Sequence, residues 1–157
     1  MKNKAETVSP VQSFIRISFL AYCALMLWLL FGQRMDGTPL DINLDPNGEN
    51  LNLIPFETVR LYWRLLQKGA SKSLLRHAVI NLVGNVVMFV PLGWFLPAIF
   101  RKFRGVFRTA AVATLLIVLV EAIQYITGLG SCDIDDLLLN IAGVLLGYGF
   151  YRLKHKK

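Results

Sequence analysis

Glu121, Asp133, Asp135 and Asp136 stand in or beside runs of residues that are otherwise almost free of charge. A carboxylate at the centre of a membrane helix costs about 2.5–3.5 kcal/mol on insertion scales, so acids in such places are rarely idle. Three kinds of chemistry are open to them. Carboxylates grouped with carboxamide oxygens are hard ligands suited to a divalent cation such as Mg²⁺ or Ca²⁺. A desolvated Glu121 close to other carboxyls suits proton exchange or general acid–base work. The third role is packing, with acids and amides hydrogen-bonded to one another across helices. No HExxH pair, Ser/His/Asp set or phosphate-binding glycine loop accompanies them.

The elements that position these acids are membrane spans. The chain has 157 residues, 55% of them apolar, against roughly 45–50% in soluble domains. Its length fits one domain. Four stretches reach the ~17–25 residues that cross hydrocarbon. They are placed at 14–32, 78–100, 109–127 and 137–153, between a tail at 1–13 and a basic tail at 154–157. The net charge of +7 would point to nucleic acid on a soluble protein. Here the basic residues gather at the ends of apolar runs, which fits membrane orientation, so no nucleic-acid partner is expected. Cys23 and Cys132 should lie at different depths and are not expected to pair.

Between the first two spans lie turn signals (Asp36-Gly37, Thr38-Pro39, Asp45-Pro46-Asn47-Gly48) and then an amphipathic stretch, 57–76. Arg60, Arg64, Lys68, Lys72 and Arg76 recur every four residues beside Leu61, Tyr62, Trp63, Leu65 and Leu66. That pattern predicts an extracytoplasmic helix lying in the membrane interface, with Arg60 and Arg64 at lipid headgroups, broken at Gly69. Pro91 should kink the second span, and Asp136 should cap the fourth. Gly143 and Gly147 form a small-xxx-small pair suited to close helix packing.

Topology collects the polar groups. The loop Arg101–Arg108 and the C-terminal tail are basic, so both are placed in the cytoplasm, and four spans put the N-terminus there too. Asn81 and Asn85 then lie on one face in the outer half of the second span. Glu121 and Gln124 share a face in the outer half of the third. Asp133, Asp136 and Asn140, at i, i+3 and i+7, share a face at the start of the fourth. These seven residues form the expected ligand-binding cluster. Glu121, Asp133 and Asp136 are the candidates if a reaction is catalysed.

Several blocks along the chain resemble the VanZ-like family of bacterial membrane proteins. They are Leu51-Asn52-Leu53-Ile54-Pro55-Phe56; Asn81-Leu82-Val83-Gly84-Asn85 with Phe89-Val90-Pro91-Leu92-Gly93; Glu121-Ala122-Ile123-Gln124; and Gly130-Ser131-Cys132-Asp133-Ile134-Asp135-Asp136 with Asn140 and Gly143. The pattern departs at Leu129, where arginine is common, and at Cys132, where an aromatic is common. The resemblance implies a polytopic helical protein of the cytoplasmic membrane and a link to reduced susceptibility to the glycopeptide teicoplanin.

The expected fold is therefore an all-α membrane protein, a four-transmembrane-helix bundle with an interfacial helix between spans 1 and 2. The expected function is binding of a lipid-linked or amphiphilic ligand at an outward polar site, with membrane lipids or a lipid-linked wall precursor as partners. A membrane enzyme acting on a wall intermediate by carboxylate or metal-assisted chemistry is the alternative. A structural polar network in a transporter or complex subunit is a further one. A divalent cation and a homo-oligomer are both compatible with the pattern.

Overall fold

The computed structural model describes residues 9–32, 51–69, 71–129 and 132–155. The turn signals at 36–48, the Gly130-Ser131 turn and the outer parts of both tails lie outside the described residues. Among the described residues four helices are long and apolar enough to cross a membrane: Pro10–Gly32, Lys72–Ile99, Val106–Thr127 and Ile134–Lys154, with 23, 28, 22 and 21 residues. At ~1.5 Å per residue they measure about 32–42 Å, enough for ~30 Å of hydrocarbon with some tilt. In chain order they are α1 (Pro10–Leu27, continued by a π-helical turn at Trp28–Gly32), α3 (Lys72–Ile99), α4 (Val106–Thr127) and α5 (Ile134–Lys154). Helix α2 (Glu57–Gln67) lies between α1 and α3, and a 3₁₀ turn at Arg101–Phe103 joins α3 to α4. Two short strands, β1 (Leu51–Asn52) and β2 (Cys132–Asp133), pair in parallel.

The spans begin three to six residues before hydropathy placed them, because polar residues cap and enter the first turn. Ser9 accepts from the Gln12 amide at 3.3 Å, with Pro10 at the first helical position. Ser71 accepts from the Leu74 amide at 3.3 Å, so Lys72 and Arg76 belong to α3. The chain leaves α2 through Gly69 at φ 70°, a left-handed conformation that suits glycine. The basic repeat from Arg60 to Arg76 is thus divided between two helices at the expected glycine. Helix α3 runs on through Pro91 and Pro97. The expected cap of the fourth span is corrected. Asp133, not Asp136, caps α5, accepting from the Asp135 amide at 2.8 Å, and Asp136 lies inside the first turn.

The centre of the bundle is the contact of α3 with α5. A methyl added to Gly143 would strike the Val86 carbonyl, and one added to Gly147 would strike the Val90 carbonyl. Both partners advance by four residues, so the two helices run in the same direction with their backbones nearly touching. Gly93 returns the contact against the Val144 carbonyl. Lipid tails are as apolar as leucine, so close packing rather than hydrophobic burial holds such helices together. Phe89, Leu92, Leu96, Ala113, Ile117, Val144 and Met26 fill the space around this seam. Helix α1 leans on α3 through Phe19, Tyr22 and Phe95, whose rings lie 5.5–6.4 Å apart. The Tyr22 hydroxyl donates to the Met88 carbonyl at 2.9 Å.

The two ends of the bundle differ. At one end the Tyr148 hydroxyl donates to the Arg104 carbonyl at 2.8 Å, and Arg108 donates to the Lys102 carbonyl at 3.4 Å. This end gathers Arg101, Lys102, Arg104, Arg108, Arg152 and Lys154. The opposite end holds α2, the strand pair and the acids.

Candidate functional site

The acidic end is assembled by pairing two segments about eighty residues apart. Strands β1 and β2 align Leu51 with Cys132 and Asn52 with Asp133. Asp133 then makes three joins at once. Its Oδ1 accepts from the Asp135 amide at 2.8 Å and from Asn52 Nδ2 at 3.3 Å, and its Oδ2 accepts from the Thr58 hydroxyl at 2.6 Å. Asn52 Nδ2 also reaches Thr58 Oγ1 at 3.2 Å.

Asp135 is 1% exposed. Its Oδ1 accepts from the Phe56 amide at 2.5 Å and its Oδ2 from the Val59 amide at 3.3 Å. These donors belong to the N-terminus of α2, where the aligned peptide dipoles favour an anion. Phe56, the residue before α2, has φ 64° and no side-chain cap of its own. A bulky residue in that region is strained by about 1–3 kcal/mol. The carboxylate of Asp135, supplied from α5, serves as the missing cap.

Asn85 Nδ2 donates to Asp136 Oδ1 at 2.5 Å, joining α3 to α5. Glu121 and Gln124 are buried on α4. Gln124 Nε2 donates to the Leu30 carbonyl at 2.9 Å, inside the π-helical turn of α1. Glu121 lies near enough to Cys132 that its charge acts on the thiol. Burial pushes the Cys132 thiol up from the ordinary cysteine value, and the carboxylates of Glu121 and Asp133 push it further. Asn140 is 4% exposed, and its Oδ1 is buried without a hydrogen-bond partner among the described residues. Asn81 Oδ1 is buried and unpartnered in the same way.

The residues singled out from sequence thus take different places. Asn85 meets Asp136 across the α3–α5 seam. Asp133 faces α2 and β1. Gln124 reaches α1. Glu121 sits beside β2. Asn81 and Asn140 each lie one helical turn from that Asn85–Asp136 contact, Asn81 on α3 and Asn140 on α5. Three residues that bind this end together were not among the expected site residues: Asn52, Thr58 and Asp135. Asp135 stood out in the sequence only as one of the acids, because its partners at the N-terminus of α2 lie almost eighty residues away along the chain. Among the described residues no three His, Cys, Asp or Glu side chains form a group that could hold a metal ion. Arg60 and Arg64 are exposed on α2, as are Trp63 and Leu66, whereas Leu61 is half-buried.

Chemically, this end offers acceptors in excess. The oxygens of Asp133 and Asp135 are taken by backbone and side-chain donors of the protein itself. The amide oxygens of Asn81 and Asn140 are not.

Comparison with known proteins adds to this geometry. The family model described as VanZ/LLP1 matches residues 19–155. Protein VanZ of Enterococcus faecium is 33% identical over 76 residues, which cover 48% of this chain and 47% of that protein. The match therefore spans about half the length of that relative. No solved structure matches the chain. With its four spans and a family match covering α3, α4, α5 and the second half of α1, the chain belongs to the VanZ/LLP1 family of membrane proteins.

Proposed function

We propose that this protein holds a lipid-linked or amphiphilic ligand of the cell envelope at the acidic end of its bundle, and that this lowers susceptibility to teicoplanin-type glycopeptides. The observation that carries the reading is Asn140. Its amide oxygen is buried on the bundle side of α5 with no donor among the described residues. Leaving a buried acceptor unsatisfied costs about 1–3 kcal/mol. A bound group with O–H or N–H donors would recover that energy, and Asn81 Oδ1 offers a second such acceptor. Sugar and amide head groups on a lipid chain supply donors of this kind, and the chain itself would remain in the bilayer.

The orientation follows from charge. The end carrying Arg101, Lys102, Arg104, Arg108, Arg152 and Lys154, with both termini, faces the cytoplasm, and the opposite end, where fewer basic residues (Arg60, Arg64, Lys68, Lys72 and Arg76) accompany the acids, faces outward. A ligand site there meets lipid-linked precursors where an acylated glycopeptide acts. For Asp133 a structural role is favoured over catalysis, because both of its carboxylate oxygens already accept hydrogen bonds that hold β1, α2 and α5.

Asn140→Leu separates function from packing. Removing an unpartnered amide should leave the melting temperature in detergent unchanged or raise it. In a susceptible host lacking the protein, the variant at matched expression should give no more protection from teicoplanin than empty vector. Full protection by the variant would sink the reading, and so would a melting temperature lowered by several degrees, which would make Asn140 a packing residue.

A further inference from the structure

The outer surface of α2 has no role in the ligand reading. Successive helical residues turn by ~100°. Thr58, Leu61, Tyr62 and Leu65 fall on one side of α2 and are half-buried against the bundle. Arg60 and Arg64 fall on the other side and are exposed, and Lys68, the residue that ends α2, is exposed as well. Glu57 shares that side in the first turn, where the helix dipole favours an acid. Along one edge run Trp63 and Leu66, 62% and 52% exposed. Leu53, Ile54 and Phe56, just before α2, are exposed as well, at 62%, 59% and 55%. A basic stripe beside an apolar edge, at the level where α3 and α5 begin, matches a surface with acyl chains below and negative charge above.

We propose that α2 and the segment leading into it form a binding surface for anionic phospholipid headgroups. Arg60, Arg64 and Lys68 meet the phosphates while Trp63, Leu66 and Phe56 enter the bilayer edge. Asp135 and Asp133 fasten that lipid-seated helix to the start of α5, so the anionic lipid is held beside the acidic end. Lipid binding by α2 goes beyond the ligand reading and does not depend on it.

The test reads Trp63 directly. Full-length protein with Trp28→Phe and Trp94→Phe keeps Trp63 as its sole tryptophan. It is reconstituted in equimolar phosphatidylglycerol and phosphatidylcholine, with bromine on the acyl chains of one lipid or the other. Local enrichment of phosphatidylglycerol of about fivefold per arginine is expected, which is the ratio equivalent to the ~1 kcal/mol of a basic residue near an anionic surface. Brominated phosphatidylglycerol should therefore quench Trp63 more than brominated phosphatidylcholine. Arg60→Gln with Arg64→Gln should bring the two quenchers close to parity, and Arg60→Lys with Arg64→Lys should keep the preference. Arg101→Gln with Arg104→Gln, at the opposite end, should also keep it. Equal quenching by both lipids in the parent would mean ordinary bilayer contact and would overturn the proposal. Absence of quenching, or a preference that survives in the glutamine variant, would overturn it too.

Discussion

Replacing Asp135 should release α2 from the bundle while the α3–α5 seam stays closed. The carboxylate accepts from the Phe56 and Val59 amides at 2.5 and 3.3 Å. Hydrogen bonds to a charged group contribute about 1.5–3 kcal/mol each, and an anion at a partly buried helix N-terminus adds up to ~2 kcal/mol. Asp135→Asn keeps one acceptor and the shape but loses the charge, so a loss of about 1–2 kcal/mol is expected. Asp135→Leu removes both acceptors and strands two amides, and should cost about 3–5 kcal/mol. At ~1.4 kcal/mol per factor of ten, hydrogen exchange at the α2 amides Arg60–Tyr62 should quicken about 5- to 30-fold in the Asn variant. In the Leu variant it should quicken by more than about 100-fold. Amides of α3 and α5 around Val86, Val90, Gly143 and Gly147 should keep their protection, because backbone contact there is independent of α2. Unchanged exchange in α2 of the Leu variant would refute the capping role. Equal loss of protection throughout the bundle would show that α2 is not a separate cooperative unit.

Two other expectations concern the ends of the bundle. In a Cys23→Ser background, Cys132 should alkylate more slowly at neutral pH than an ordinary thiol, with its rate–pH profile displaced upward, because burial and the Glu121 and Asp133 charges disfavour the thiolate. Glu121→Gln should move the profile back down, and a parent profile in the ordinary cysteine range would contradict this. For orientation, His155→Cys in a cysteine-free background should resist a membrane-impermeant maleimide added to intact cells and react after permeabilisation. Labelling from outside would reverse the proposed topology.

The spans were legible because an uncharged run of membrane length has few uses outside a bilayer, and α2 was legible from its four-residue basic spacing. The break at Gly69 could be read from a residue that tolerates positive φ. What pattern could not give was contact at long range. Strands β1 and β2 are two residues each, too short for any periodicity, yet their pairing places Asn52 against Asp133. Gln124 shares a face with Glu121 and was grouped with it as a ligand contact. Its actual partner, the Leu30 carbonyl, is presented by a π-helical turn that no residue type announces. The cap of α5 was placed three residues late because hydropathy marks where apolar residues begin, whereas a helix begins where its first amides find an acceptor.

These joins change how loss of function at the acidic end must be interpreted. Asp133 ties β1 and α2 to α5, Asp135 caps α2, Asp136 with Asn85 ties α5 to α3, and Gln124 ties α4 to α1. An inactive Asp133 or Asp135 variant would therefore be equally expected of a nucleophile, a metal ligand or a hydrogen bond that holds a helix in place. Activity alone cannot separate these roles at residues whose removal also loosens the fold. Asn81 and Asn140 differ, since their buried oxygens hold nothing among the described residues and removing them should not loosen the fold. A functional loss there without a loss of stability points to a ligand, so two amides carry more weight for binding than the more conspicuous acids.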